Sequence, residues 1–237
     1  MLNGFVTKTR QGASALVKAV SKSGSEPERA AFVAAAGAHV CASLMGVSKV
    51  KTLSKPALMP LLAGRVLRSS CGSLAKGLGL VGLAGGWAGD LVLMKPDSLP
   101  KGAAGFAINH AAYIALLLRG GARPSAVRAG IRAVPLLGAA GFAAIREPKM
   151  LPIVLGYGGL LATTSMLADD SKLHDSSNLA SFGMGHGGNL FLISDAVLFA
   201  RELFLEDGTV AAQLADGAVM GTYTIAQLLL VDGLFSD

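Results

Sequence analysis

This sequence is short of charge. Asp, Glu, Lys and Arg make up 15% of its 237 residues, where a soluble domain carries roughly a quarter. Hydrophobic residues make up 52% and the mean hydropathy is +0.54, which excludes a disordered chain and argues against a soluble domain. Cysteine is nearly absent. Cys41 and Cys71 form no CxxC pair, so neither a disulfide framework nor a cysteine metal site is implied. Aromatic residues are only 5% of the chain, and its 21 Lys and Arg are scattered between apolar runs. The net charge of +6 therefore does not point to nucleic acid, which calls for a basic face interleaved with aromatics. No continuous apolar run follows Met1, so a cleavable signal peptide is not expected.

What is abundant is glycine, 31 residues of it, set in long apolar runs. These fall near 30–47, 56–69, 74–94, 103–119, 126–145, 150–168, 183–204 and 210–234. A spanning helix needs about 20 residues, and the second run is the shortest. Only helices or closed barrels satisfy the backbone in lipid. The expected fold is thus all-α, an integral membrane bundle of about eight transmembrane helices. Residues 1–29 read as a basic N-terminal segment in which Phe5, Leu16 and Val20 can share one face of an interfacial helix. Residues 30–237 read as a single transmembrane domain. Thirteen of the 21 Lys and Arg fall on the side of the N-terminus, which predicts that the N-terminus is cytoplasmic.

Two strings match GxGxxG, at Gly77, Gly79 and Gly82 and at Gly183, Gly185 and Gly188. The dinucleotide fingerprint needs a strand before it and a βαβ unit around it, and an all-helical chain offers neither. Gly82, Gly85, Gly86 and Gly89 instead suit close helix packing. His39 reads as a helix-to-helix hydrogen bond. Asp169, Asp170, His174 and Asp175 read as a solvated loop, and no metal or other cofactor is expected.

The informative residues are polar ones at membrane depth. A carboxylate at a helix centre costs about 2.5–3.5 kcal/mol on insertion scales. Asp90 nevertheless ends the third run, and Asp195 lies inside the seventh. His110 and Tyr113 share a face of the fourth run, and Tyr223 and Gln227 a face of the eighth. Tyr157 opens the sixth, Asn189 precedes Ser194 in the seventh, and Lys55 opens the second. Alternating the spans places Lys55, Asp90, Tyr157 and Asp195 in one half of the membrane, with His110 and Tyr223 near mid-depth. Two carboxylates, a His and a Lys at one depth read as a site rather than as packing.

Four stretches carry a resemblance to a known family. They are Gly89-Asp90 with Leu91-Val92-Leu93; Gly102, Phe106, His110 and Tyr113; Gly188, Phe191, Ser194 and Asp195 with a later Phe204; and Tyr223 with Gln227. Lys55-Pro56, Tyr157 and Met166 fit as well. In this ordered set the chain resembles the YhhN family of membrane proteins, whose characterised members are lysoplasmalogenases. It departs from the pattern at Trp87-Ala88 and at Asn189, where a small apolar residue is usual. The resemblance implies an eight-helix enzyme that cleaves the vinyl ether of a lysophospholipid to a fatty aldehyde and a glycerophospho-headgroup.

That chemistry suits paired carboxyls, one neutral to protonate the alkene and one ionised to stabilise the cation, as in glycosidases. The expected catalytic residues are Asp90, Asp195 and His110. Lys55, Tyr113, Tyr157, Asn189, Ser194, Tyr223 and Gln227 are expected to position water and substrate, with membrane lipids as the surroundings. Alternatives from other classes are a proton-coupled transporter, since intramembrane Asp and His also mark proton relays, and a hydrolase of a different lysolipid. A serine esterase is disfavoured. Ser194 and Asp195 are adjacent on a helix and point about 100° apart, and no G-x-S-x-G elbow is present.

Overall fold

The computed structural model describes the backbone of residues 2–96 and 98–236 and their side chains from residue 6 onward. These residues form nine α-helices of 18–26 residues with no strand among them, joined by short connections except for the longer segment between Ala168 and Met184. They are α1 (Leu2–Ser21), α2 (Pro27–Leu44), α3 (Ser48–Arg68), α4 (Ser73–Val92), α5 (Leu99–Arg119), α6 (Ala126–Arg146), α7 (Leu151–Ala168), α8 (Met184–Phe204) and α9 (Val210–Phe235). Helices α2 to α9 overlap the eight apolar runs one for one. By length and apolarity, three segments are able to cross a membrane outright: Ala126–Arg146, Pro148–Ala168 and Val210–Phe235.

Neighbouring helices form a closed cycle: α2 packs on α3, then α4, α5, α7, α8 and α9, which returns to α2. Helix α6 stands outside this cycle against α7. The end of the bundle where α2 begins is termed proximal here, and the opposite end distal.

The second apolar run is longer than its hydropathy implied. Helix α3 starts at Ser48 and carries Pro56 and Pro60 inside it, so Lys55 sits two turns into the helix rather than at its mouth. Lys49, Lys51 and Thr52 made this stretch resemble a loop, yet they continue the helix. Proline removes a helical hydrogen bond, and the Pro56 carbonyl takes another from Trp87 Nε1 at 2.8 Å.

Small residues set the closest approach, between α4 and α5. A methyl group on Gly105 would lie 2.6 Å from the backbone nitrogen of Gly89 and 2.7 Å from the carbonyl oxygen of Gly85. Backbone cannot yield as a side chain would. Gly105→Ala is therefore expected to destabilise the protein by about 1–3 kcal/mol and to displace the segment bearing Asp90. Gly138→Ala, with nothing within 4 Å, is the control, and thermal unfolding in detergent measures both.

Helix α1 docks through a face of Gly12, Ala15 and Ala19 on the turn at Leu179–Gly183 and on His186. The expected face differs: Leu16 is half-buried, Val20 is exposed, and the side chain of Phe5 lies outside the described residues. Small residues won because the bundle end is tightly contoured there, with the Ala15 methyl 3.2 Å from the place a Gly183 methyl would occupy.

The loop after α7 is organised by Asp170. Its carboxylate accepts the Arg123 N–H at 2.6 Å and the Lys172 N–H at 3.1 Å, and pairs with Arg128 at 3.2 Å. The Arg128 guanidinium, with these N–H groups, holds the carboxyl well below the usual range. A depressed folded-state value gives stability that is present above the unfolded value, about 4, and is lost as pH falls through the folded one. Asp170→Asn is expected to lower the thermal midpoint at neutral pH and to flatten its fall in acid, read from melts between pH 7 and 3.

Candidate active site

Helices of the cycle together with α6 line a cavity of about 590 Å³, within the usual size of a small-molecule site. It reaches from the distal end down to Asp90 on α4 and Asp195 on α8. Asp90 is 1% exposed. Its carboxylate pairs with Lys55 Nζ of α3 at 3.6 Å and accepts the Tyr223 hydroxyl of α9 at 2.8 Å. Asp195 is hydrogen-bonded to the Tyr157 hydroxyl of α7. Among the described residues no cation pairs with Asp195. The two carboxyls therefore share one cavity and differ in partners.

Behind them lies a buried aromatic frame. Phe106, Phe191 and Tyr223 meet edge to face with centroids 5.4–6.3 Å apart, a favourable arrangement for rings. His110 is fully buried and packs edge-on against Phe191 at 4.5 Å. Its Nε2 lies 3.4 Å from the Tyr157 hydroxyl and its Nδ1 lies 3.1 Å from Thr164 Oγ1.

Of the residues singled out from sequence, Lys55, Asp90, Tyr157, Ser194, Asp195 and Tyr223 line the cavity. The Ser194 hydroxyl, however, donates to the Val219 carbonyl at 3.0 Å, which ties α8 to α9. His110 reaches the cavity only through Tyr157. Tyr113 and Gln227 lie deeper: the Tyr113 hydroxyl donates to Gln227 Oε1 at 2.6 Å, and Gln227 Nε2 donates to Asn109 at 3.3 Å. Asn109 in turn donates to the Gly82 carbonyl at 2.9 Å. Asn189 is placed elsewhere, accepting from Arg132 Nη2 at 2.8 Å and from Ser165 at 2.9 Å. Arg132 also reaches Asp169 at 2.9 Å, so this departure from the resemblance pattern supplies a buried guanidinium with an acceptor. His39 bridges α2 and α3 through Ser54 at 2.8 Å and also faces the cavity.

The walls differ in character. Leu136 and Ala139 of α6, Ile153 and Val154 of α7, and Leu192 and Phe199 of α8 form an apolar side. Ser48, Lys51 and Thr52 of α3, with Arg201, Glu202, Asp207 and Asp216, form a charged side at the distal mouth. The sequence reading missed this charged side. The spacing of Lys51 one helical turn from Lys55 was its one available signal.

The YhhN family matches residues 50–234, which hold both aspartates, most of α3 and the helices from α4 up to, but not including, the last residue of α9. The chain belongs to the YhhN family. Its α1 and α2, including His39, precede the matched stretch. Comparison of this YhhN chain with curated proteins and with solved structures gives no match. Family membership together with the three segments able to span a bilayer makes this YhhN protein a membrane protein.

Proposed function

We propose that the cavity is the active site of a membrane hydrolase that cleaves the vinyl ether of lysoplasmalogens. One observation carries the reading: two carboxyls, Asp90 buried and Asp195 half-buried, face one amphipathic cavity, one with a cation partner and one without. Asp90, beside Lys55 and the Tyr223 hydroxyl, is the ionised member. The partners of Asp195 favour a neutral acid. Thr164 donates its hydroxyl to the Leu160 carbonyl at 3.1 Å, so His110 donates Nδ1–H to Thr164 and turns a bare Nε2 toward Tyr157. The Tyr157 hydroxyl then donates to Nε2, its oxygen accepts, and Asp195 completes the chain as a protonated carboxyl.

The reaction follows from those roles. Asp195 gives its proton to the alkene carbon remote from the ether oxygen, producing an oxocarbenium ion that the Asp90 carboxylate stabilises. Water adds to the cationic carbon and returns a proton to the Asp195 carboxylate, leaving a hemiacetal. Proton transfer to the glycerol oxygen then breaks the carbon–oxygen bond and releases aldehyde and glycerophospho-headgroup. His110, Tyr157 and Tyr223 are positioning residues, and the apolar wall of α6, α7 and α8 holds the hydrocarbon chain.

Carbon protonation leaves a signature. In D₂O the released aldehyde is expected to carry one solvent-derived deuterium on the carbon next to the carbonyl, read by mass spectrometry. A saturated alkyl ether of the same chain is expected to yield no aldehyde. Aldehyde free of deuterium would overturn the mechanism, and absence of aldehyde from folded protein would overturn the reaction.

A further inference from the structure

His39 of α2 is 3% exposed and lines the cavity. Its Nδ1 lies 2.8 Å from Ser54 Oγ, and Ser54 spends its own hydrogen on the Val50 carbonyl at 2.7 Å. In the neutral ring Nδ1 is therefore the donor, and Nε2 is left with a lone pair and no hydrogen. Among the described residues nothing donates to Nε2, yet it is not one of the unpartnered polar atoms that the packing seals off. Ser43 lies four residues on, on the same helix face, and is buried at the same wall. A helical serine often returns its hydroxyl to the carbonyl four residues back. Ser43 does not, and its Oγ is buried without a partner. Two uncommitted polar groups on adjacent turns of one wall call for an explanation, and helix packing supplies none.

The chemistry of Nε2 narrows what can meet it. A bare imidazole nitrogen takes a hydrogen and offers none. The charges that bear on His39 are those of Lys55 and Lys51, ahead of Asp216, so a cationic donor would meet repulsion. The donor that suits is an uncharged hydroxyl. Its level is set by Ser54, the neighbour of Lys55, whose ammonium reaches Asp90 at 3.6 Å. The hydroxyl that His39 takes is thus carried close to the bond on which the carboxyls act.

We propose that His39 Nε2 receives the hydroxyl on the middle glycerol carbon of the substrate. The inference rests on the reading of the cavity as a lysoplasmalogen site and adds a binding residue to it. Such a substrate, with an ethanolamine or choline headgroup, carries one uncharged hydroxyl. It stands on the carbon next to the one that bears the vinyl ether, so an ether held between Asp90 and Asp195 brings it to the level of Lys55 and His39. The bond fixes the turn of the glycerol and with it the direction in which the ether presents its alkene. His39 precedes the stretch matched by the YhhN family, so α2 makes this contact from outside that stretch.

The test uses the purified full-length protein and saturated alkyl ethers of one chain and headgroup, titrated for binding, with hydroxyl, hydrogen or fluorine on the middle glycerol carbon. The wild type is expected to bind the hydroxyl form about tenfold more tightly than the hydrogen form, the size of one buried hydrogen bond left unmade. Fluorine, which cannot donate, is expected to behave like hydrogen. His39→Asn keeps a donor for Ser54 and has nothing at the place of Nε2, whereas His39→Phe keeps the ring. Each is expected to bring the ratio of hydroxyl to hydrogen near one, and either decides alone if the other does not fold. A wild-type ratio near one, fluorine binding as well as hydroxyl, or variants that weaken all three ligands equally would overturn the proposal. The alkenyl substrates with hydroxyl or hydrogen separate the contact from the reaction. If neither releases aldehyde, yet the saturated hydroxyl form is preferred and the variants erase that preference, the contact stands and the reaction falls. Aldehyde released from both at equal kcat/KM leaves the reaction standing and overturns the contact.

Discussion

Asp195→Asn is expected to lower aldehyde release by about a thousandfold, within the span assigned to a lost general acid, while the protein remains folded. Asparagine keeps the shape and a hydrogen bond to Tyr157 but has no proton to give to carbon. Binding of the unreactive alkyl ether should stay within about twofold, because the amide preserves the contacts that hold substrate and removes one made only in the transition state. Asp90→Asn is expected to cost a similar factor for a different reason: it leaves the Lys55 ammonium facing the developing oxocarbenium ion. Lys55→Met placed on top of Asp90→Asn should therefore recover part of the loss, whereas it should recover none in Asp195→Asn. Substantial turnover in both single variants would sink the acid-pair assignment.

The largest stability effect is expected at the proximal end, far from the chemistry. There Asp232 of α9 is 2% exposed and pairs with Arg29 of α2, with the Arg65 Nε of α3 3.9 Å away. Arg29 also donates to Glu26 at 2.7 Å and to the Ala19 carbonyl at 3.2 Å, and Arg65 donates to the Phe235 carbonyl at 2.7 Å. Asp232→Ala removes the one carboxylate shared by both guanidiniums. Breaking a buried pair from one side costs about 3–5 kcal/mol, or a fall on the order of 10 °C in the thermal midpoint for a chain of this length. Replacing Arg29 and Asp232 together by Met and Leu should recover much of it, since apolar pairs of similar volume often substitute for buried ions without loss. A midpoint unmoved by Asp232→Ala would mean that the carboxylate carries no weight in joining α2, α3 and α9.

The helices were legible in the sequence because hydropathy reports burial along one dimension. All eight apolar runs became helices, and the most misjudged boundary, at α3, lies where lysines continue a helix that hydropathy ends. Which key residues share a level along the bundle was legible too, since alternating helices fix which end of each lies at the same height. That is why Lys55, Asp90, Tyr157 and Asp195 were expected together and line one cavity. Which helix neighbours which was not legible. Asn189 and Asp195 lie on the same helix, yet one turns to Arg132 and the other to the cavity. Nothing in the spacing tells these faces apart until α6 and α7 are in place. Arg201 and Asp216 escaped notice for the same reason: they sit at helix ends, where charge is ordinary, and only the meeting of α3, α8 and α9 makes them a cluster.

The position of α6 outside the cycle separates two jobs. The carboxyls are carried by α4 and α8, whose spacing is locked by neighbours on both sides and, for α4, by backbone contact at Gly105. The apolar wall of the cavity borrows Leu136 and Ala139 from α6, which lies outside the cycle. It leans on α7, tied at its proximal half by Arg132 and touching α8 distally through Phe142 and Phe204. On the proposed reading, the wall that meets the substrate's tail and the carboxyls that act on its bond belong to different layers of the bundle, so substitutions on α6 are expected to change tail preference without disturbing Asp90 and Asp195.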